Sequence, residues 1–178
     1  MFRATNSSEK SKIMNRIDLE REFMGIVREY ERIIYKVCTF YVSDESPMAD
    51  LYQEVVMNLW KTFPKFRKEC SFSTWIYRVT LNTCISGFRK ESRLPKEKMK
   101  VSLLEASLPD LEDMEMEEEI KEMYLLINQL KTLEKAIVLL YLEGKSYQEI
   151  AEITGLTVCN VATKLKRSKE KLRELSKN

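Results

Sequence analysis

Apolar residues recur along this chain at steps of three and four rather than two, the spacing that lines side chains along one face of a helix. Phe23, Ile26, Tyr30, Ile33, Ile34, Val37 and Tyr41 form such a row, which predicts one long amphipathic helix. Pro47 predicts the start of a second helix, with Leu51, Val55, Leu59 and Trp60 facing inward and an end near Pro64. A third is expected from the serine-rich stretch Ser71 to Ser73 as far as about Lys90. Further helices are expected from about Glu118 to Glu143, from Ser146 to Thr154, and from Thr157 to about Leu175. No stretch alternates with period two over a useful length, so the fold class is all-α.

Between Arg93 and about Glu118 the apolar period lapses, and Pro95 and Pro109 interrupt the chain. That stretch reads as a linker, dividing the chain into a flexible N-terminus (1–18), a first helical domain (19–92), the linker (93–117) and a second helical domain (118–178). Charge sharpens the division. Nine acidic residues and one basic residue lie between Val101 and Glu122. Removing them from the 30 basic and 28 acidic residues of the whole leaves 29 and 19, so the rest of the chain has a surplus of ten positive charges. The formal net charge of +2 is therefore the near-cancellation of this acidic stretch, at −8, against the ten positive charges in surplus on either side of it.

Composition removes several classes of chemistry. With no histidine among 178 residues, imidazole bases, Ser-His-Asp triads and His-containing zinc sites are excluded. The four glycines are too scattered for a phosphate-cradling loop. Cys38, Cys70, Cys84 and Cys159 form no CxxC pair and read as reduced, mostly buried small apolar residues. No carboxylate cluster stands on a helix face outside the linker. Neither an enzyme nor a cofactor is expected. No apolar run is long enough to span a membrane, and Met1 to Arg21 lacks the apolar centre of a signal peptide, so membrane insertion is not expected and the cytoplasm is.

The strongest local signal lies between Gly144 and Leu175. Ser146 followed by Glu149 is a capping box that starts a short helix, with Ile150 and Ile153 on its apolar side and Ala151 small enough for another helix to approach. Gly155 permits the turn, and Thr157 caps a second helix whose buried row is expected to be Val158, Val161, Leu165 and Leu172. Short helix, glycine turn and longer basic helix make a helix-turn-helix. Asn160, Thr163 and Lys164 stand near the end of that helix that meets base edges in the major groove. Six basic residues between Lys164 and Arg173, Lys166 and Arg167 among them, face only Glu170, a pattern suited to phosphates.

The segment SYQEIAEITGLTVCNVATKLKRSKEKLR, Ser146 to Arg173, resembles region 4 of the sigma-70 family. DLYQEVVMNLWKTFPKFRKECSFSTWIYRVTLNTCISGFRK, Asp50 to Lys90, resembles its region 2. With only these two regions, the chain is similar to the extracytoplasmic-function (ECF) sigma factors. The resemblance implies core RNA polymerase and promoter DNA as partners, and an anti-sigma factor as a further one. It implies that the C-terminal unit reads the −35 element through Thr157, Asn160, Thr163, Lys164, Lys166 and Arg167. Asp50, Leu51, Gln53 and Glu54 match the stretch that grips the polymerase clamp helices. Phe66, Arg67, Lys68, Ser71 and Phe72 fall on or beside the loop that holds a flipped −10 base, and Asn82 matches an asparagine of that pocket. The linker corresponds to a strand threaded through the polymerase channel.

Independently of the resemblance, Arg78, Asn82 and Arg89 lie within about 40° of one another on a helix, a polar stripe on an apolar element. Trp75 and Tyr77 are aromatics that either stack on opened DNA or pack in the core. Ser86, Val56 and Ala162 depart from the family pattern, the last among the base-reading positions. A stand-alone helix-turn-helix repressor or activator is the competing expectation, although it leaves the region 2 match without a use.

Overall fold

The apolar spacing resolves into eight α-helices, with no β-strand among the described residues. The computed structural model describes the backbone of residues 5–43, 47–91 and 118–177 and the side chains of 17–43, 47–86 and 122–177. The helices are α1 (Thr5–Glu29), α2 (Glu31–Thr39), α3 (Met48–Thr62), α4 (Phe72–Glu91), α5 (Glu118–Asn128), α6 (Thr132–Leu142), α7 (Tyr147–Thr154) and α8 (Val158–Leu175), with a 3₁₀ turn at Phe63–Lys65 after α3. The expected linker lies outside the described residues.

Two sequence expectations change at the N-terminus. The single long helix is two, broken at Tyr30, whose backbone leaves the helical region at φ −106°, ψ 12°. No glycine or proline marks the break. The turn brings Ile34, Val37 and Cys38 of α2 into the core, all without exposed surface. The stretch expected to be flexible is helical from Thr5, in keeping with a segment that contains Glu9, Lys10, Lys12 and Met14 and neither glycine nor proline.

Helices α2, α3 and α4 pack against one another and receive the last turns of α1. Val55, Leu59 and Ile76 join Ile34 and Val37 as fully buried aliphatics of the core, each worth about 1.5–3 kcal/mol of transfer free energy. Phe23 of α1 closes one end, edge-on to Trp60 with centroids 5.0 Å apart. Asn58 Nδ2 donates to Thr83 Oγ1 at 3.2 Å and ties α3 to α4.

The second bundle is built on α6. Its five consecutive residues Ala136 to Leu140 are all buried, because α7 and α8 cover one side and α4 of the first bundle another. The two bundles are thus in direct contact, chiefly through α4 on α7. Phe40 stacks on Tyr124 at 4.7 Å, and the Tyr41 hydroxyl donates to Thr132 O at 3.0 Å. Lys36 Nζ and the Tyr77 hydroxyl donate to the two Glu143 carboxylate oxygens at 2.6 and 3.4 Å.

Candidate nucleic-acid interfaces

The helix-turn-helix forms as its residue types dictate. Ser146 Oγ accepts from Glu149 N at 3.2 Å while Ser146 N donates to the Glu149 carboxylate at 2.8 Å, a closed capping box. The bond from Ser146 N, and with it the Ser146 hydroxyl, which donates to the same carboxylate at 2.8 Å, hold the Glu149 carboxyl below the usual carboxylate range. Gly155 ends α7 at φ 72°, a left-handed angle, and Thr157 Oγ1 accepts from Asn160 N at 3.3 Å to start α8. Val161, Leu165 and Ser168 of α8 are buried and Leu172 half-buried.

Opposite that row, Asn160, Thr163, Lys166 and Arg167 are exposed, and Lys164 is half-buried on the flank. Thr163 Oγ1 donates to Cys159 O at 2.9 Å, leaving its oxygen free to accept. Not all of the basic run is free for DNA. Lys169 Nζ sits 3.7 Å above the Tyr141 ring, and Lys171 Nζ donates to Gln129 O at 3.2 Å. Lys166 and Arg167 carry the outward charge nearest the start of α8, and Arg173 is exposed toward its other end. Val158, expected in the buried row, is 42% exposed. Cys159, expected among the mostly buried cysteines, is exposed as well. The cause is common to both: Thr157 to Asn160 are all exposed, so the first turn of α8 projects past the helices that bury the rest. A projecting N-terminal turn is the part that enters a major groove.

The second interface lies where the 3₁₀ turn leads into α4. Phe66, Phe72 and Trp75 pack face and edge, with Phe66 centroids 5.0 Å from each of the others. Beside them opens a cleft of about 520 Å³, edged by Lys65, Phe66, Arg67, Trp75 and Arg78. Lys68 turns the loop at φ 58°, an angle uncommon outside glycine. Ser71 Oγ accepts from Thr74 N at 3.1 Å and caps α4. Asn82 is exposed one turn beyond Arg78; the Arg89 side chain lies outside the described residues.

Trp75 was a candidate for contact with opened DNA, and here its ring is only 6% exposed. It is a wall of the cleft held by neighbouring rings, since an indole of this size gains more from packing than a half-exposed platform would. Tyr77 is likewise core, at 2%. The cleft also recruits Lys65, Glu69 and Cys70, which the PKFRKEC run foreshadows, and Glu152 of α7, which no local signal foreshadows.

On α3, Asp50, Gln53 and Glu54 are exposed on one face, with Met57 continuing it at 50% exposure. Leu51, grouped with them by resemblance, is 5% exposed and points into the core. It anchors the helix and does not face a partner.

Between the bundles, Lys135 Nζ donates to Phe40 O and Asn128 Oδ1, both at 2.9 Å, and lies 5.3 Å from the Tyr41 ring centroid. Burial lowers its pKa to about 8. Burial, with Glu143 beside it, raises that of Tyr77. Among the described residues no group of three or more histidine, cysteine or acidic side chains is placed to hold a metal ion, and no helix is long and apolar enough to cross a membrane.

Two family models match the chain, Sigma-70 region 2 over residues 26–94 and Sigma-70, region 4 over residues 120–172. The ECF RNA polymerase sigma-E factor of Haemophilus influenzae is 28% identical over 162 residues, 85% of each chain. The RNA polymerase sigma-H factor of Pseudomonas aeruginosa is 28% identical over 163 residues, 85% of this chain and 84% of that one. Among solved structures, the sigma factor RpoE of Bartonella quintana, in complex with the anti-sigma factor NepR, aligns over 90% of this chain and 97% of its own at 18% identity and a TM-score of 0.62.

Proposed function

The chain belongs to the sigma-70 family, in its extracytoplasmic-function branch, and from that premise we propose how it directs promoter-specific transcription initiation. Residues 19–92 act as region 2, 93–117 as the connector and 118–178 as region 4. The exposed α3 face, with Asp50, Gln53 and Glu54, binds core RNA polymerase. The projecting turn of α8 reads the −35 element, Asn160 and Thr163 at base edges, Lys164 beside them, and Lys166 and Arg167 on phosphates. The cleft edged by Phe66, Arg67 and Arg78, with Lys68, Ser71 and Phe72 on its loop and Asn82 on α4, takes a base from the opened −10 element. The factor performs no catalysis of its own and works in the cytoplasm, where its polymerase is. An anti-sigma factor is a further partner, as NepR is for the sigma factor of the neighbouring structure.

One observation carries this reading: a basic aromatic cleft and, after it, a capped helix-turn-helix whose second helix has a projecting first turn and a basic outer face occur in one chain, in the order of regions 2 and 4 that the family models match. The test is run-off transcription with purified core polymerase on a library of promoter fragments, probed with permanganate for unpaired thymines. Specific transcripts with reactive thymines near the start site are expected. Tight duplex binding without polymerase, and no transcript with it, would instead identify a stand-alone repressor.

A further inference from the structure

We propose that Val158, Cys159 and Ala162 form an apolar patch at the start of α8 that reads thymine C5-methyl groups in the −35 element. The inference rests on the sigma reading and deepens it, assigning residues that decide which base pairs the projecting turn accepts.

Val158 and Cys159 are both exposed, the first at 42%. Ala162, one of the departures from the family pattern, is half-buried beside them. At about 100° per residue it stands between the two around the helix, about 40° from Val158 and about 60° from Cys159, so the three make one continuous surface. Helical side chains lean toward the N-terminus, and the first turn has no earlier turn beneath it, so Val158 and Cys159 point off the tip of α8. Cys159 also begins the outward row that Thr163 and Lys166 continue at steps of four and three. The turn is held in shape before any contact, since Asn160 N donates to the Thr157 cap at 3.3 Å and Thr163 Oγ1 to Cys159 O at 2.9 Å. A single exposed apolar side chain needs no explanation. Three adjoining ones on the part of a helix-turn-helix that enters the major groove do. Thymine alone presents a methyl group there, and small apolar side chains are what recognise it. Asn160, in the same turn, can take the adenine that pairs with such a thymine. Charge favours DNA over a protein as the occupant: between Thr157 and Arg167 the chain carries Lys164, Lys166 and Arg167 and no acidic residue. An apolar tip set among cations fits a methyl group lying between two rows of phosphates.

The test uses the full chain with core polymerase on a promoter that this holoenzyme transcribes. In a series of templates, each −35 thymine of either strand is replaced in turn by deoxyuridine, which keeps the base pairing and removes only the methyl group. Wild type should lose about fourfold in promoter affinity at one or two of these positions, the worth of burying one methyl group. Val158→Ser and Cys159→Ser place a small polar side chain where a helix start accepts one. Each should bind the unmodified promoter more weakly by a similar factor and should no longer distinguish thymine from deoxyuridine at one of those positions. Affinity for core polymerase and the urea midpoint should stay as in wild type. Indifference of the wild type to every deoxyuridine, a −35 element without thymine, or sensitivity that both variants keep in full overturns the patch as a reader of methyl groups. Weaker binding of the variants to core polymerase, with discrimination intact, overturns it in favour of a protein contact. A wild type that transcribes no promoter specifically would instead sink the sigma reading beneath it.

Discussion

Gly155 carries the turn of the helix-turn-helix at φ 72°, and an added Cβ there would meet no atom within 4 Å. Gly155→Ala should therefore cost only the backbone preference, about 1–2 kcal/mol, measured by urea unfolding. A loss well above that would mean the turn itself is rebuilt. Ser168 is the opposite case, a hydroxyl buried in α8 with no hydrogen-bond partner. Ser168→Ala removes an unpaired polar group and should be neutral or stabilise by up to about 1 kcal/mol; a clear destabilisation in the same assay would show that the hydroxyl is satisfied. On the outer face, Asn160→Ala should cost about 1–3 kcal/mol on the preferred −35 duplex alone. Lys166→Ala should weaken all duplexes alike and reduce the salt slope by about one. Caps and turn were legible because Ser146, Glu149, Gly155 and Thr157 act through bonds within four residues. The exposure of Val158 was not, because it depends on where neighbouring helices stop.

At the scale of elements, the apolar rows of α3 and α8 were read with few errors, since a helix face is fixed by spacing alone. The break between α1 and α2 was missed because the period runs through Tyr30 unchanged, and only the demand of α3 and α4 for Ile34 and Val37 turns the chain there. Element integrity governs function in α4, whose inner face is core while its outer residues line the cleft. Asn82 is exposed and packs against nothing the fold depends on. Asn82→Ala should thus leave unfolding unchanged but reduce permanganate reactivity of the −10 thymines more than it reduces closed-complex binding. Equal losses in both assays would remove Asn82 from the opening step.

For the molecule as a whole, Lys135 reports on the contact between bundles. An unfolded lysine keeps its proton to about 10.5, and the buried one gives it up near 8. Between those values the unfolded state binds more protons, so the contribution of Lys135 to stability rises with pH across that window. Measured against Lys135→Met in the same buffers, the wild type should gain on the order of a few kcal/mol from pH 8 to 10.5, at about 1.36 kcal/mol per unit. A constant difference would place the ammonium in water and argue against the packed arrangement. The sequence by itself determined the all-α class, the surplus of positive charge on either side of an acidic stretch, and the helix-turn-helix with its caps, because each rests on spacing, local bonding or charge along the chain. Only the tertiary structure decided that Trp75 is a wall, that Leu51 is core, and that Glu152 stands against Arg78. Those facts arise from contacts between residues up to 74 positions apart, and such pairings are chosen by how whole helix faces bury one another, which no local pattern encodes.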